Sequence, residues 1–366
     1  MNEHELAILR QFCLDAEPAS CTPYGCGHIN RTYLVATAGG RCYILQKINH
    51  HTFRDVAGLM ENIELVTEHL RRKSPDPRSV LTLIRTKDGK SYLEADDGYW
   101  RVFRFVEDSI CLQQPESDAD FYESAVGFGT FQQLLSDFPA EKLHETIQNF
   151  HNTPDRYRAF HETLTRDPMH RAAQVQPEIE FALARQAEMA TLQNALDAGE
   201  LPLRVTHNDT KLNNVLFDAK TRKALCIIDL DTVMPGSALY DYGDSIRFGA
   251  ATAAEDEREL DKMEMSLERF RVFTRGYVRA CPGLTQKELE LLPLGAKVMT
   301  MECGVRFLTD HIDGDNYFSI HREGQNLDRA HTQFKLVTDM ERKWDKMKEI
   351  VNEEVQNAKE NGSCCI

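Results

Sequence analysis

Arg204-Val-Thr-His-Asn-Asp-Thr-Lys-Leu-Asn-Asn-Val-Leu-Phe-Asp218 and, after a short polar interval, Ala224-Leu-Cys-Ile-Ile-Asp-Leu-Asp231 form the stretch from which the rest of the chain can be read. Residues 215–217 and 225–228 are apolar runs separated by polar residues, a pattern that predicts an antiparallel hairpin. A hairpin sets the start of its first strand beside the end of its second. Asn214 and Asp229 therefore become neighbours, and both offer the oxygen ligands that Mg²⁺ prefers. Asp209 stands on the same loop before Asn214, close to such a cation without having to bind it. Asp231 shares a strand face with Asp229 if the strand runs on, and would then hold a second metal or its water. A carboxylate that orients an acceptor hydroxyl beside metal ligands that neutralise phosphates is the arrangement phosphoryl transfer requires.

These residues resemble a known group. His207-x-Asp209-x-x-x-x-Asn214 followed by Ile-Ile-Asp229 is similar to the catalytic loop and metal aspartate of the aminoglycoside phosphotransferase and choline kinase group, which has a protein kinase-like fold. Longer blocks resemble bacterial N-acetylhexosamine 1-kinases: Thr206-His-Asn-Asp-Thr-Lys-Leu-Asn-Asn214, Ile227-Ile-Asp-Leu-Asp-Thr-Val-Met-Pro-Gly-Ser237, Gly243-Asp-Ser-Ile-Arg-Phe-Gly-Ala250, Met301-Glu-Cys-Gly-Val-Arg-Phe-Leu308 and Gly27-His-Ile-Asn-Arg-Thr-Tyr33. The resemblance runs from about residue 23 to about residue 341. It implies an α+β, bilobal fold, with a small antiparallel sheet and one helix over 1–106 and a mainly helical lobe over 107–366.

The resemblance also implies roles. Asp209 is the base, Asn214 and Asp229 hold Mg²⁺, and His207 and Asp241 support the loop. ATP lies against Gly25, Gly27, His28, Asn30 and Gln46 and against the interlobe segment at Phe105 and Glu107. The acceptor, the anomeric hydroxyl of an N-acetylhexosamine, meets Arg306 and Tyr317. Asp244 and Arg247 either face that acceptor or form an internal ion pair. Without the resemblance, Arg306 would serve equally as the i,i+4 partner of Asp310.

Composition sets the outer bounds. The chain has 366 residues, enough for two lobes with their own cores. Its net charge of −15 speaks against nucleic acid and anionic membranes as partners. Ten cysteines lack a C-x-x-C pair or a regular spacing, the pattern of reduced thiols. Residues 1–20 lack a signal-peptide core, and no run of about 18 apolar residues occurs, so a cytoplasmic protein is expected. Cys364 and Cys365 miss the prenylation position, which is Ser363. A monomer satisfies these observations, and the oligomeric state is left open.

Along the chain, 3–13 reads as a short helix and 32–36 and 43–48 as strands around the Gly39-Gly40 turn. A helix covers 55–72, and strands follow near 80–85 and 99–105. Gly25-x-Gly27 alone is ordinarily just a hairpin turn. Gln46 and Lys47 point to opposite faces of one strand, and in the matching register Gln46 takes the slot where kinases place a cation for the phosphates. Kinase-like folds brace that slot with a glutamate of the 55–72 helix, so Glu61 or Glu64 is either that brace or a solvated helix glutamate. Helices are expected over 122–135, 177–196, 255–279, 286–310 and 333–360, and His151 reads as a structural loop histidine. Choline, an aminoglycoside or homoserine are alternative acceptors. A catalytically silent nucleotide-binding protein keeps the fold without the reaction, and a metal-dependent hydrolase lacks the paired histidines it would need.

Overall fold

The computed structural model describes residues 3–25 and 29–362. The chain divides into two compact units. The first comprises Met1–Cys111, Asp137–Gln148 and Val215–Pro235; the second comprises Leu112–Ser136, Asn149–Asn214 and Gly236–Ile366. A single cut near residue 106 does not describe this division, because the hairpin and a short internal stretch return to the sheet-bearing unit.

In the first unit, Pro18–Pro23, Arg31–Thr37, Cys42–Ile48, Gly98–Arg104 and Leu83–Ile84 lie in that order as an antiparallel sheet, with Leu93–Ala95 also paired to Gly98–Arg104. Alternation along Cys42–Ile48 turns Tyr43 and Leu45 to one buried face and Gln46 and Ile48 to the other, where Ile48 is buried as well. Leu45 packs with Val35, Trp100, Val102 and the N-terminal Ile8, Leu9 and Phe12. The edge strand Pro18–Pro23 was not anticipated: prolines bound it and only Cys21 is buried, so it carries no alternating signal.

The helix Val56–Lys73 begins where expected, at an Asp55 side chain that accepts from Gly58 N at 2.9 Å. Its Leu59, Met60, Ile63 and Val66 are buried. Buried Asn62 donates to the carbonyls of His144 and Val233, at 2.8 and 3.0 Å, and so ties two returning stretches to this helix.

The hairpin is present as Val215–Asp218 paired antiparallel with Ala224–Ile227, Val215 opposite Ile227, and Ser109–Cys111 adds a third strand. The strand does not run on to Asp231. Asp229 adopts the left-handed region at φ 60°, and Leu230–Thr232 forms a 3₁₀ turn, so Asp229 and Asp231 do not share a strand face.

The second unit is helical. Capping boxes start Asp118–Leu134 at Ser117 and Gln286–Asp313 at Thr285. Three expected helices are shorter or divided. The 177–196 pattern is two helices, Gln176–Met189 and Thr191–Asp197; the 333–360 pattern falls across Gln325–Arg342 and Trp344–Gly362; and the helix expected from 255 starts at Leu267. Ala238–Gly249 packs on Gln286–Asp313 through glycine: a Cβ on Gly243 would come within 2.3 Å of the Gly295 carbonyl oxygen. Among the described residues no helix is long and apolar enough to cross a membrane.

Candidate active site

In the second unit, the loop His207–Asn214 leaves the buried strand Arg204–Thr206. Arg204 itself is anchored to Glu288 by contacts of 2.6 and 2.7 Å. Asp241, buried on the helix Ala238–Gly249, accepts the backbone N–H groups of His207 (2.9 Å) and Asn208 (2.8 Å). Gln132 donates to the same carboxylate at 3.1 Å. The His207 ring is enclosed by Phe128 and Phe131, and its Nδ1 accepts from Asp209 N at 3.3 Å. Asn208 is left-handed at φ 65°, which turns the chain sharply just before Asp209.

That turn leaves the Asp209 carboxylate about a quarter exposed, 26%. Asn214 Nδ2 donates to its Oδ2 at 3.1 Å and to its backbone oxygen at 2.8 Å. With the amide nitrogen thus committed, the Asn214 carbonyl oxygen is the atom able to ligate a cation. Lys211 Nζ lies 2.8 Å from Asp209 Oδ1. The Asp209 charge, against the opposing effect of burial, holds the Lys211 ammonium well above its ordinary value, so this lysine stays charged.

Asp244 and Arg247 form the internal ion pair, with contacts of 3.0 and 2.9 Å, and Arg247 also pairs with Glu255 at 2.7 Å. The second oxygen of Asp244 accepts from Thr210 N at 3.1 Å, which fastens the pair to the loop one residue beyond Asp209. Burial pushes the Asp244 carboxyl up, but the charges of Arg247, Lys211 and His151 hold it below the usual range. Arg247 also lines a cavity of about 260 Å³ with Gln114, Thr252, Glu255, Arg269 and Gln333.

Arg306 does not pair with Asp310. Asp310 accepts from the backbone N–H groups of Asn316, Tyr317 and Phe318 and from Asn326 Nδ2, at 2.8 to 2.9 Å, and so shapes the loop that carries Tyr317. The Arg306 guanidinium instead sits over Phe150, Tyr317 and Phe318 at 5.3, 5.7 and 5.5 Å from their ring centres. It also donates to the Tyr317 hydroxyl at 3.3 Å. Cys303, one helical turn before it, lies within electrostatic reach of both Arg247 and Arg306; burial pushes its thiol up to about 12.

In the first unit, Gly25 sits at φ 78° in the turn after Pro18–Pro23. Gly27 and His28 lie outside the described residues. Asn30 Nδ2 donates to Asp231 Oδ2 at 2.6 Å, and its Oδ1 accepts from Asn49 N at 2.9 Å. Gln46 donates to Thr32 Oγ1 and accepts from Arg101 Nε, at 3.1 and 3.0 Å. Lys47, on the opposite face, pairs with Asp97 at 2.6 Å. Glu61 contacts His144 and Glu64 contacts Arg85, at 2.7 and 2.9 Å, so both braces point away from Gln46. Phe105 continues the sheet by donating its N–H to Cys42 O at 3.1 Å and packs edge-on to Tyr24; Glu107 is exposed.

Asp229 is exposed, whereas Asp231 is buried. Arg101 stands opposite Gln46 in the sheet register and reaches Asp231 Oδ1 at 2.5 Å, both side chains almost wholly buried. The contact is ionic rather than an aligned hydrogen bond. The sequence reading passed over Arg101, Lys211, Phe150 and the contacts of His151. Lys211 could have been found, since it stands two residues after Asp209; the others meet their partners only through register or tertiary packing.

An antiparallel sheet with one long helix, a helical unit, and a His-x-Asp-x-x-x-x-Asn loop ahead of a hairpin that ends in aspartate define a small-molecule kinase of protein kinase-like fold. The chain belongs to the phosphotransferase enzyme family, whose model matches residues 20–272. Solved structures with the same fold include a microcompartment-associated aminopropanol kinase, at 17% identity with 94% of this chain and 98% of that chain covered and a TM-score of 0.64. An amicoumacin kinase in complex with AMP-PNP, Ca²⁺ and Ami is 15% identical over 92% and 93% of the two chains, with a TM-score of 0.59. A choline kinase from Cryptosporidium parvum is 12% identical over 91% and 92%, with a TM-score of 0.54.

Proposed function

We propose that this phosphotransferase moves the γ-phosphoryl group of ATP to the anomeric hydroxyl of an N-acetylhexosamine, yielding the sugar 1-phosphate. Asp209 orients the hydroxyl and takes its proton as the new O–P bond forms and the bond to the ADP oxygen breaks. A loose transition state asks chiefly for placement, and a carboxylate held by Asn214 and Lys211 supplies it. Lys211 adds a fixed positive charge beside the base.

Oxygen-only donors fit a hard cation such as Mg²⁺: the Asn214 carbonyl and the exposed Asp229 carboxylate flank the paired ends of one hairpin. When bound, that ion would neutralise phosphate charge. Asn30 and Gln46 are proposed to lie at the nucleotide, and Asp231, engaged by Arg101 and Asn30, to support the metal segment.

The observation that carries a sugar over an amine acceptor is Arg306. A quaternary ammonium is recognised by a cage of aromatic rings. Here the rings of Phe150, Tyr317 and Phe318 already surround a guanidinium, so a cationic acceptor would meet like charge. Neutral hydroxyl and acetamido oxygens find fixed donors instead.

Product analysis tests the proposal. The protein is incubated with ATP and Mg²⁺ and with N-acetylglucosamine, N-acetylgalactosamine, choline, homoserine or kanamycin, and phosphorus NMR locates any new phosphate. Anomeric phosphate on the hexosamines is expected. Phosphate only on an amino alcohol or antibiotic would keep the kinase and remove the sugar.

A further inference from the structure

The His151 ring meets two acceptors. Its Nδ1 lies 2.8 Å from Glu302 Oε1 and its Nε2 lies 3.1 Å from the carbonyl oxygen of Asn208, with both side chains buried. A neutral imidazole has one donor and one acceptor, so it can satisfy only one of these; the doubly protonated ring satisfies both. Glu302 is held as the partner anion. Burial pushes its carboxyl up, but the charges of His151, Arg306 and Arg156, with the His151 hydrogen bond, bring it below the usual range. The other Glu302 oxygen accepts from Thr153 Oγ1 at 2.6 Å. Asp244 and the Tyr240 ring face His151 from the helix Ala238–Gly249.

What the ring grips matters. Asn208 has the left-handed conformation that costs a non-glycine residue energy, and surrounding contacts must offset it. Asp241 holds the Asn208 N–H, and His151 holds its carbonyl. The next residue is Asp209. Phe150, adjacent to His151, lies under Arg306, and Glu302 stands one helical turn before Arg306.

Resting on the kinase reading above, we infer that His151 is a positioning residue: a charged strut between Glu302 and Asn208 that fixes the loop so that Asp209 meets the acceptor. It acts through Glu302 and the Asn208 carbonyl. It also joins the Arg306 cluster to the base, so a change in one is felt at the other.

The test uses the full chain with His151→Gln, and with Thr153→Val as the control that removes a Glu302 contact without touching Asn208. We expect kcat to fall roughly tenfold or more in His151→Gln, with KM for ATP within about twofold. Thr153→Val should lose thermal stability but keep kcat. Nitrogen NMR of the resting wild-type protein should show both His151 ring nitrogens protonated at neutral pH. An unchanged kcat in His151→Gln, an equal kcat loss in Thr153→Val, or a singly protonated ring would each overturn the inference. Absence of transfer to any acceptor would instead remove the kinase reading, and the NMR result on the resting protein would still decide the strut.

Discussion

Replacing Arg101 with methionine leaves Asp231 in the interior without its counter-charge. Arg101 is 1% exposed and the Asp231 side chain 3%, and they meet at 2.5 Å. Among the described residues, Asn30 Nδ2 would remain on the carboxylate, at 2.6 Å. Removing one partner of such a pair typically costs about 3–5 kcal/mol, most of it the penalty of the abandoned charge. Methionine fills much of the same volume beside Met60 and Phe103, which limits the cavity contribution. The double variant Arg101→Met with Asp231→Leu removes both charges and should recover most of the loss, because a buried ion pair is worth little against apolar residues of similar size. Trp100 precedes Arg101 on the same strand and is buried, so in a Trp344→Phe background its fluorescence reports this unit in a urea titration. With a slope of about 3 kcal/mol/M, the single variant should lower the midpoint by roughly 1 M or more. A loss below about 1 kcal/mol, or a double variant no better than the single one, would refute the reasoning.

Three further outcomes are expected. Asp209→Asn should keep the fold and lose about 10²–10⁴-fold in kcat, measured by ADP release with the acceptor present. Arg306→Ala should raise the acceptor KM and leave that for ATP unchanged; an unchanged acceptor KM would place the sugar elsewhere. The Asp218 carboxyl is lowered to about 2, chiefly by the Thr221 backbone N–H and hydroxyl, with burial opposing and Lys220 N–H and Arg78 adding to the effect. Its folded value lies below the unfolded one, near about 4. Its contribution is therefore present above about pH 4 and lost as pH falls toward 2, and Asp218→Asn should flatten stability against pH across that window.

What could be read from the residues followed their distance along the chain. The hairpin was legible from its two apolar runs and the polar interval between them, and the pairing of Val215 with Ile227 is the register that reading required. The helix at Val56–Lys73 was legible from its apolar period. Arg101 was not, because its meeting with Gln46 depends on which two strands pair and in what register. His151 looked like an ordinary loop histidine, since Glu302 lies 151 residues away. Asp231 read as a metal ligand on the assumption of a continuing strand. A left-handed Asp229 ended that strand, and nothing in an Asp-Leu-Asp sequence announces the change.

The interleaving of the first unit has a consequence for synthesis on the ribosome. Domains ordinarily fold in the order in which they emerge. Here Ser109–Cys111 cannot gain its neighbour Val215–Asp218 until residue 218 has left the exit tunnel, nor Asn62 its Val233 carbonyl until residue 233 has. The six-stranded sheet is complete in sequence by Arg104, but Ser109–Cys111 must wait without its sheet partners while the intervening chain, with the loop that carries Asp209, is made.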